Sequence, residues 1–259
     1  MRQLLLLPVL AAMAIILFAC SNREVEDITI DYGYDYFPLE VGRFWVYQAD
    51  SITYDPALGG TAIDSFRTFI REVVADTLLD NTGAVLYRIE RYERQADTLP
   101  WQIRKVFTLS RDEQRAYRTE DNLRFIKLTF PLRTGQSWNG NVFFDPFTKV
   151  LVKGESIEMF KSWDYKILTQ GEPLQLGGLH FDEVATVQNA DSRNNAIEFR
   201  VATEQYAKGV GLVSRYLDIL DTECRVCCNG DTGDECQALP WEERAEKGFR
   251  LYQQLITYQ

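Results

Sequence analysis

The chain has 259 residues, 46 % of them hydrophobic, and it carries 38 acidic against 28 basic side chains, which gives a formal net charge of −10. So acidic a protein has no general electrostatic affinity for nucleic acid or anionic lipid, and its hydrophobic content is that of a folded globule. Aromatic residues make up 13 % of the chain, and Val, Ile, Thr and Tyr recur in alternating runs, which favours β-strands.

The first twenty residues have the layout of a bacterial lipoprotein signal peptide. Arg2 supplies the basic start, and residues 4–18 form an uncharged apolar run that is too short for a comfortable transmembrane helix and contains Pro8. The run ends in Leu17-Phe18-Ala19-Cys20, which resembles the Leu-x-(Ala/Gly)-Cys lipobox. We therefore predict a signal peptide that is removed before Cys20, and acylation of that cysteine with diacylglycerol and palmitate. A plain secreted protein and an uncleaved anchor are the alternatives.

The residues after the lipobox indicate where the anchored protein is sorted. Ser21 rather than Asp follows the cysteine, which fits the outer membrane better than retention in the inner membrane. Glu24, Glu26 and Asp27 resemble the surface-export signals of Bacteroidota lipoproteins, and a solvated linker is the alternative. We predict an outer-membrane lipoprotein that faces the periplasm or the medium and is held there by its acyl chains, each buried methylene contributing about 0.8 kcal/mol.

The expected domain organisation is simple. Residues 1–19 are the signal peptide and residues 20–36 a lipidated acidic tether. Without the signal peptide the chain has 27 basic and 38 acidic residues, a net charge of −11, and a length sufficient for one sizeable core. Residues 37–259 are predicted to form a single β-rich domain with a cysteine-rich loop at 222–240.

The candidate strands, taken in chain order, are apolar or alternating runs bounded by Gly, Pro, Asn or Asp. Asp80-Asn81-Thr82-Gly83 has the composition of a hairpin turn. Helical turns are expected only at 204–207 and 241–247, and 157–169 is expected to be strand or mixed structure. The fold class predicted is mainly β: an antiparallel meander that closes into a sandwich or a curved half-barrel, with little helix. The other strands are expected at 44–54, 65–78, 84–94, 101–109, 114–118, 123–130, 179–188, 196–203, 212–220 and 249–258.

One nine-residue pattern, Phe-Pro-Leu-x-x-Gly-x-x-Trp, occurs at 37–45 and again at 130–138. Proline fixes φ and glycine permits a tight turn, so each copy is interpreted as a structural turn that places a tryptophan in the core. A ligand cleft lined by the two tryptophans is the alternative. The motif residues are Phe37, Pro38, Gly42, Trp45, Phe130, Pro131, Gly135 and Trp138.

Four cysteines lie close together in the second half of the chain, at Cys224, Cys227, Cys228 and Cys236. Outside the cytoplasm such cysteines usually form disulfides, which would replace the missing apolar core of an acidic, glycine-containing loop. We expect Cys224 and Cys236 each to pair with one of the central two, because a bond between neighbours needs a strained ring. A four-thiolate zinc site, a redox pair and calcium in the acidic loop are the alternatives, but the spacing lacks paired zinc knuckles and the Asp-x-Asp-x-Asp-Gly order is absent.

No catalytic constellation is evident. His180 is the only histidine, with Asp182 two positions later and no Gly-x-Ser-x-Gly elbow, so a structural hydrogen bond is its expected role. The charges at residues 88–94 are interpreted as a solvated strand face. No phosphate loop, dinucleotide loop or His-x-x-x-His motif occurs, so we expect no catalytic residue, no cofactor and no metal.

Several segments of the chain are together similar to a family of uncharacterised Bacteroidota lipoproteins. The similarity covers nearly the whole mature chain, apart from the cysteine-bearing insert at 224–236. The family has no assigned activity, so the resemblance implies no catalytic residue. The segments are the lipobox, the acidic tether, Tyr-Phe-Pro-Leu-x-x-Gly at 36–42, Tyr-Ala-Lys-Gly-Val-Gly-Leu-Val at 206–213, and residues 121–128 and 241–249.

Three functions follow as hypotheses. The first is a lipid-anchored cell-envelope protein with a non-catalytic binding or accessory role, whose protein or glycan partner is unknown and which binds no nucleic acid. The second is a carrier or chaperone for acyl chains or lipoproteins, which requires an apolar cavity lined by aromatic residues. The third is an envelope hydrolase using carboxylates, which a concave cleft holding two acids with raised pKa would support.

Overall fold

The computed structural model describes residues 30–57 and 60–259. The predicted signal peptide, Cys20 and most of the predicted tether lie outside the described residues. The described part of the tether includes a short 3₁₀ turn, Tyr34–Tyr36, in which the Tyr36 side chain is buried. None of the helices in the described ranges has the length and apolar character needed to cross a bilayer.

Twelve strands form one continuous antiparallel sheet, and two more form a separate hairpin. Neighbouring strands in the sheet are mostly neighbours in sequence, as in a meander, and the first long strand pairs with the last. The sheet order is β6-β5-β4-β3-β2-β1-β14-β13-β12-β11-β10-β7, with β8 and β9 in the separate hairpin. The strands are β1 Phe44–Ala57, β2 Gly60–Leu79, β3 Val85–Arg94, β4 Gln102–Arg111, β5 Arg115–Glu120, β6 Leu123–Thr129, β7 Ser137–Trp138, β8 Val150–Val152, β9 Glu155–Ile157, β10 Trp163–Leu176, β11 Leu179–Ser192, β12 Glu198–Ala207, β13 Gly211–Asp221 and β14 Lys247–Tyr258.

The two edges of the sheet come together, so the sheet is nearly closed into a barrel. The backbone N–H of Ile126 in β6 donates to the carbonyl of Gly140, just after β7, at 2.8 Å. The indole Nε1 of Trp138 donates to the carbonyl of Ile126 at 2.9 Å. Closure removes exposed strand edges, and the predicted class of an antiparallel meander forming a curved barrel is confirmed.

Alternation along β1 shows how the sequence builds the interior. Trp45, Tyr47 and Ala49 are all buried on the inner face, as a period of two requires. Trp45 Nε1 donates to the carbonyl of Val210 at 2.6 Å and the Tyr47 hydroxyl to the carbonyl of Leu212 at 2.9 Å. Val210 and Leu212 lie at the start of β13, which is separated from β1 only by β14, so both polar tips find backbone acceptors nearby in the sheet, which makes these large side chains suitable for a barrel core.

The repeated motif turns the chain at both sites. Gly42 and Gly135 have φ values of 93° and 85°, a region that favours glycine. Trp45 is buried, whereas Trp138 is half-buried with its ring centroid 5.7 Å from that of Tyr165. Both copies thus turn the chain just before a strand, which is β1 in the first copy and β7 in the second.

Within residues 30–57 and 60–259, the α-helices are short and lie between β13 and β14: α1 Arg225–Cys228, α2 Asp234–Ala238 and α3 Trp241–Arg244. The expected helical turn at 204–207 is wrong, because these residues complete β12, where pairing with β11 and β13 overrides local propensity. The segment at 157–169 divides into the end of β9, an irregular stretch and the start of β10.

Candidate ligand-binding chamber

A group of charged side chains points into the barrel where a core would normally be apolar. We call it the buried ionic cluster. Three members are carboxylates and four are cations, so it carries one excess positive charge inside a strongly acidic protein. Its members are Glu72, Arg91, Arg118, Glu120, Lys127, Glu204 and Arg215.

Sheet register brings several of these charges together. Glu72 of β2 lies directly opposite Arg91 of β3, and Glu204 of β12 lies directly opposite Arg215 of β13. Opposite charges at facing positions of neighbouring strands stabilise a sheet by roughly 0.2–1 kcal/mol when exposed. Here the side chains are buried, so the consequence of losing one partner is larger.

The first half of the cluster is centred on Glu72, which is 4 % exposed. Its Oε1 accepts from Arg91 Nη2 at 2.6 Å and from Arg118 Nη2 at 3.2 Å. Arg118 Nε donates in turn to Glu120 Oε2 at 2.7 Å. Every carboxylate of this half is thus bound by at least two cationic hydrogen-bond donors, since Arg91 and Lys105 also reach Glu120.

The second half is centred on Glu204, which is 2 % exposed. It accepts from Lys127 Nζ at 2.6 Å, from Arg215 Nε at 2.8 Å and from the Tyr206 hydroxyl at 2.8 Å. Lys127 lies on β6 and Glu204 on β12, which are far apart in the sheet order. This ion pair therefore spans the barrel interior and connects its two walls.

The charged state of the cluster follows from its surroundings. Burial opposes ionisation of Glu204, but the charges of Lys127 and Arg215 outweigh it and hold its pKa at about 2. Burial is likewise outweighed at Glu72 and Glu120, where Arg118 and Arg91 lower the pKa below its usual range. All three carboxylates are therefore ionised at neutral pH.

The charged form of Lys127 is destabilised, whereas the charged form of Glu204 in the same ion pair is stabilised. Burial lowers the pKa of Lys127 to about 8, and the attraction of Glu204 offsets this only partly, because Arg215 and Arg118 repel a further positive charge. Glu204 faces two cations whereas Lys127 faces one carboxylate and two cations, which explains why the ion pair stabilises one partner's charge more than the other's. Lys127 is thus the member of the cluster that changes charge closest to neutral pH.

A chamber of about 360 Å³ opens on one side of the cluster. Three cations and two carboxylates of the cluster form its charged floor, and its wall is largely apolar; the floor residues are Arg118, Glu120, Lys127, Glu204 and Arg215. The apolar wall includes Phe125, Val150, Met159, Phe160, Trp163 and Leu217.

The aromatic part of the wall is a connected cluster. The Phe125 and Phe160 ring centroids lie 5.4 Å apart, and those of Phe160 and Trp163 also 5.4 Å. Phe144 packs edge-on against both phenylalanines, at 5.0 and 5.2 Å. These separations are typical of favourable aromatic pairs, so the wall is an ordered surface.

The other side of the cluster is packed. A void of only about 30 Å³, room for about one water, lies there among large side chains. We call this region the packed end, and its members include Phe37, Trp45, Tyr47, Leu109 and Tyr206. The barrel interior is thus divided by the ionic cluster into a filled end and an open chamber.

Sequence reasoning missed this site. The charges at 88–94 were expected to be solvated, but Arg91 is only 9 % exposed and belongs to the cluster. Glu204 was placed in a helical turn, and Lys127 was not singled out. The available signal was alternation: Glu204 is two residues from Ala202 and from Tyr206, so a strand places all three on the buried face.

The cysteine-rich loop lies outside the chamber. Cys224 and Cys236 form a disulfide with each other, so the expected pairing of each with a central cysteine is wrong. Both are fully buried and face one another, whereas Cys227 and Cys228 are half-buried thiols, with Cys228 Sγ 2.8 Å from Cys227 Sγ. Three sulfurs, those of Cys224, Cys227 and Cys236, lie within 4.8 Å of one another, but two of them are bonded together.

His180 occupies an exposed position near the start of β11. Its Nε2 lies 3.2 Å from Asp182 Oδ1 and its Nδ1 3.2 Å from Gln175 Oε1. The imidazole side chain is 58 % exposed and does not line the chamber. These contacts are those of a surface hydrogen-bonding residue.

Comparisons with known proteins give remote similarities. No protein-family model matches the chain, and no curated protein matches it in sequence. Similar solved structures include a protein assigned as a lipoprotein of Parabacteroides distasonis, with 11 % identity and a TM-score of 0.30. Another is a protein of Bacteroides fragilis assigned as exported, with a YmcC-like fold, 10 % identity and a TM-score of 0.37. Each similarity covers 86 % of this chain and 98 % of the other, and both organisms are Bacteroidota.

Proposed function

We propose that the protein is a lipid-anchored, non-catalytic binding protein of the outer membrane, and that its ligand is an apolar molecule held in the chamber. The observation that carries the binding role is the 360 Å³ chamber with its ordered aromatic wall. Small-molecule sites are typically apolar clefts of about 300–1,000 Å³ with a few placed polar groups.

The chamber also favours a specific version of this function, that of a carrier for acyl chains. Such a carrier needs a concave apolar surface, and Phe125, Phe160 and Trp163 supply one. A hydrolase using two carboxylates has less support. It needs a carboxyl of raised pKa as proton donor, whereas the pKa values of Glu120 and Glu204 in the chamber are lowered.

Ligand binding is tested with the neutral fluorescent probe N-phenyl-1-naphthylamine, using the mature chain with Cys20→Ser, which prevents acylation. We expect saturable binding with enhanced fluorescence. Absence of saturable binding would contradict the binding role.

Two neighbouring substitutions locate the probe. Val150 lines the chamber, whereas the adjacent Leu151 is 73 % exposed on the other face of the same short strand. Val150→Trp should fill part of the chamber and weaken probe binding by about tenfold, which is about 1.4 kcal/mol. Leu151→Trp is the matched control and should leave binding unchanged; equal effects of both variants would place the probe elsewhere.

The anchor is tested separately, because it rests on the lipobox. Metabolic labelling with radioactive palmitate should label the wild-type chain and leave Cys20→Ser unlabelled. Protease treatment of intact cells then distinguishes the two faces of the outer membrane. Cleavage of the domain while periplasmic marker proteins survive supports surface exposure, and protection contradicts the export role of the acidic tether.

A further inference from the structure

The floor of the chamber differs chemically from its wall, and this difference specifies the ligand. We propose that the chamber binds single-chain amphiphiles with an anionic head, the head at Arg118, Lys127 and Arg215 and the apolar chain against Phe125, Phe160 and Trp163. This inference rests on the proposed binding function and adds the chemical class of the ligand.

The charged groups at and around the floor carry an excess of positive charge. The three carboxylates of the ionic cluster are outnumbered by four cations, and at the cluster's rim Lys105 and Asp121 add one charge of each sign. Lys149, an exposed residue at the mouth of the chamber, adds a further positive charge. The counted groups thus carry an excess of two positive charges, which an anionic ligand reduces and a cationic ligand increases.

The two arginines of the floor have hydrogen-bond donors that the described residues leave unused. Among the hydrogen bonds of the described residues, Arg215 uses only Nε, toward Glu204, which leaves both Nη nitrogens of its guanidinium. Arg118 uses Nε and Nη2, which leaves Nη1. Both arginines line the chamber, and their side chains are only 13 % and 7 % exposed. A largely buried guanidinium with free Nη donors is suited to the paired oxygens of a carboxylate or phosphate.

The charged floor lies close to aromatic side chains. Lys127 Nζ lies 5.8 Å from the centre of the Phe125 ring and 5.6 Å from that of Tyr165. An anionic group bound at the floor thus has aromatic surface within the length of its first few methylenes. The head and the chain of one molecule can therefore occupy the floor and the wall at the same time.

Both sources of such a head, a fatty acid carboxylate and an alkyl phosphate, share this chemistry. The test compares four twelve-carbon compounds below their micelle-forming concentrations: dodecanoate, dodecyl phosphate, dodecanol and dodecyltrimethylammonium. Each competes with the neutral probe for the mature Cys20→Ser chain. We expect at least one of the two anions to bind at least about tenfold more tightly than dodecanol, and the cation to bind most weakly. The tighter of the two anions identifies the head.

Arg215→Gln tests the assigned floor residue. This variant should lose most of the preference for the anions and keep its affinity for dodecanol. Arg250→Gln is the matched control, because Arg250 also binds a buried carboxylate, that of Asp218, but lies outside the chamber. It should keep the wild-type preference.

A second measurement needs no substitution and remains available if Arg215→Gln does not fold. Lys127 faces Glu204, Arg118 and Arg215, and only Lys127 among them loses its charge between pH 7 and 9. The wild-type affinity for dodecanoate should fall over that range, since its carboxylate stays fully ionised, while the affinity for dodecanol stays constant.

The outcomes separate this inference from the function on which it rests. If the probe binds but all four compounds compete equally, or the anion preference survives both in Arg215→Gln and at pH 9, the assignment of the head is wrong and the binding function stands. If the probe does not bind, both are wrong.

Discussion

The two ends of the barrel interior are built from similar residues and are used differently. At the packed end, Trp45 and Tyr47 of β1 donate to carbonyls at the start of β13, two strands away in the sheet, and a void of only about 30 Å³ remains. At the chamber, Phe125, Phe160 and Trp163 pack against one another along the wall and leave about 360 Å³ open. The presence of aromatic residues alone therefore does not decide whether part of a barrel interior is filled or open.

The ionic cluster is what separates the two ends, and its loss should have the largest effect. Glu204→Gln removes the shared partner of Lys127 and Arg215 and leaves two buried cations unpaired. We expect a loss of about 3–5 kcal/mol in the free energy of unfolding, measured by urea denaturation. Asp50→Asn removes a carboxylate from the exposed pair with Arg67 and should cost below about 1 kcal/mol. Similar values for the two variants would contradict the structural importance of the cluster.

Acid should weaken the same cluster without any substitution. The folded-state pKa of Glu204 is about 2, below its ordinary value of 4.5, so its contribution is present above pH 4.5 and is lost as pH falls toward 2. For this group alone the loss is about 3 kcal/mol, and Glu72 and Glu120 act in the same direction. Unfolding free energies measured from pH 7 to pH 2.5 should decline below about pH 4.5. The Glu204→Gln variant should show a shallower decline, and an identical slope would contradict the assignment.

The smallest expected effects compare added volume at the two ends. Ala116 is fully enclosed in the main core beside the packed end, so Ala116→Leu should cost about 1–3 kcal/mol of stability by overpacking. Val150→Trp adds more volume but directs it into the chamber, and should cost less than about 1 kcal/mol. Thermal denaturation of both variants checks this order. A larger penalty at Val150 would indicate that the chamber is not open space.

The sequence predicted the barrel better than it predicted its contents, for a physical reason. Alternation such as that in residues 101–109 follows from burial on one face of a strand, so it appears locally and needs no partner. The chamber depends on pairings between distant strands, such as Lys127 with Glu204, whose partners are 77 positions apart in the chain. A charged residue at an inward-facing position breaks the expected apolar pattern when the strand is considered alone. Only the closed sheet shows that four such cations share three carboxylates.

The cysteine pairing illustrates the same limit on a smaller scale. Local ring strain argued against a bond between Cys227 and Cys228, and the structure leaves these two unbonded. The sequence spacing could not show that Cys224, just before α1, lies directly against Cys236 in α2. That contact depends on how two short helices pack, which spacing alone does not determine.

A crystal structure of the mature Cys20→Ser chain with 12-bromododecanoate would show whether the chamber is the ligand site. Bromine scatters anomalously, so its position is independent of the interpretation of weak chain density. We expect a bromine peak against Phe160 and Trp163, with the carboxylate oxygens at Arg215. A bromine peak confined to the outer surface of the barrel, with the chamber empty of ligand density, would mean that the chamber is not the ligand site.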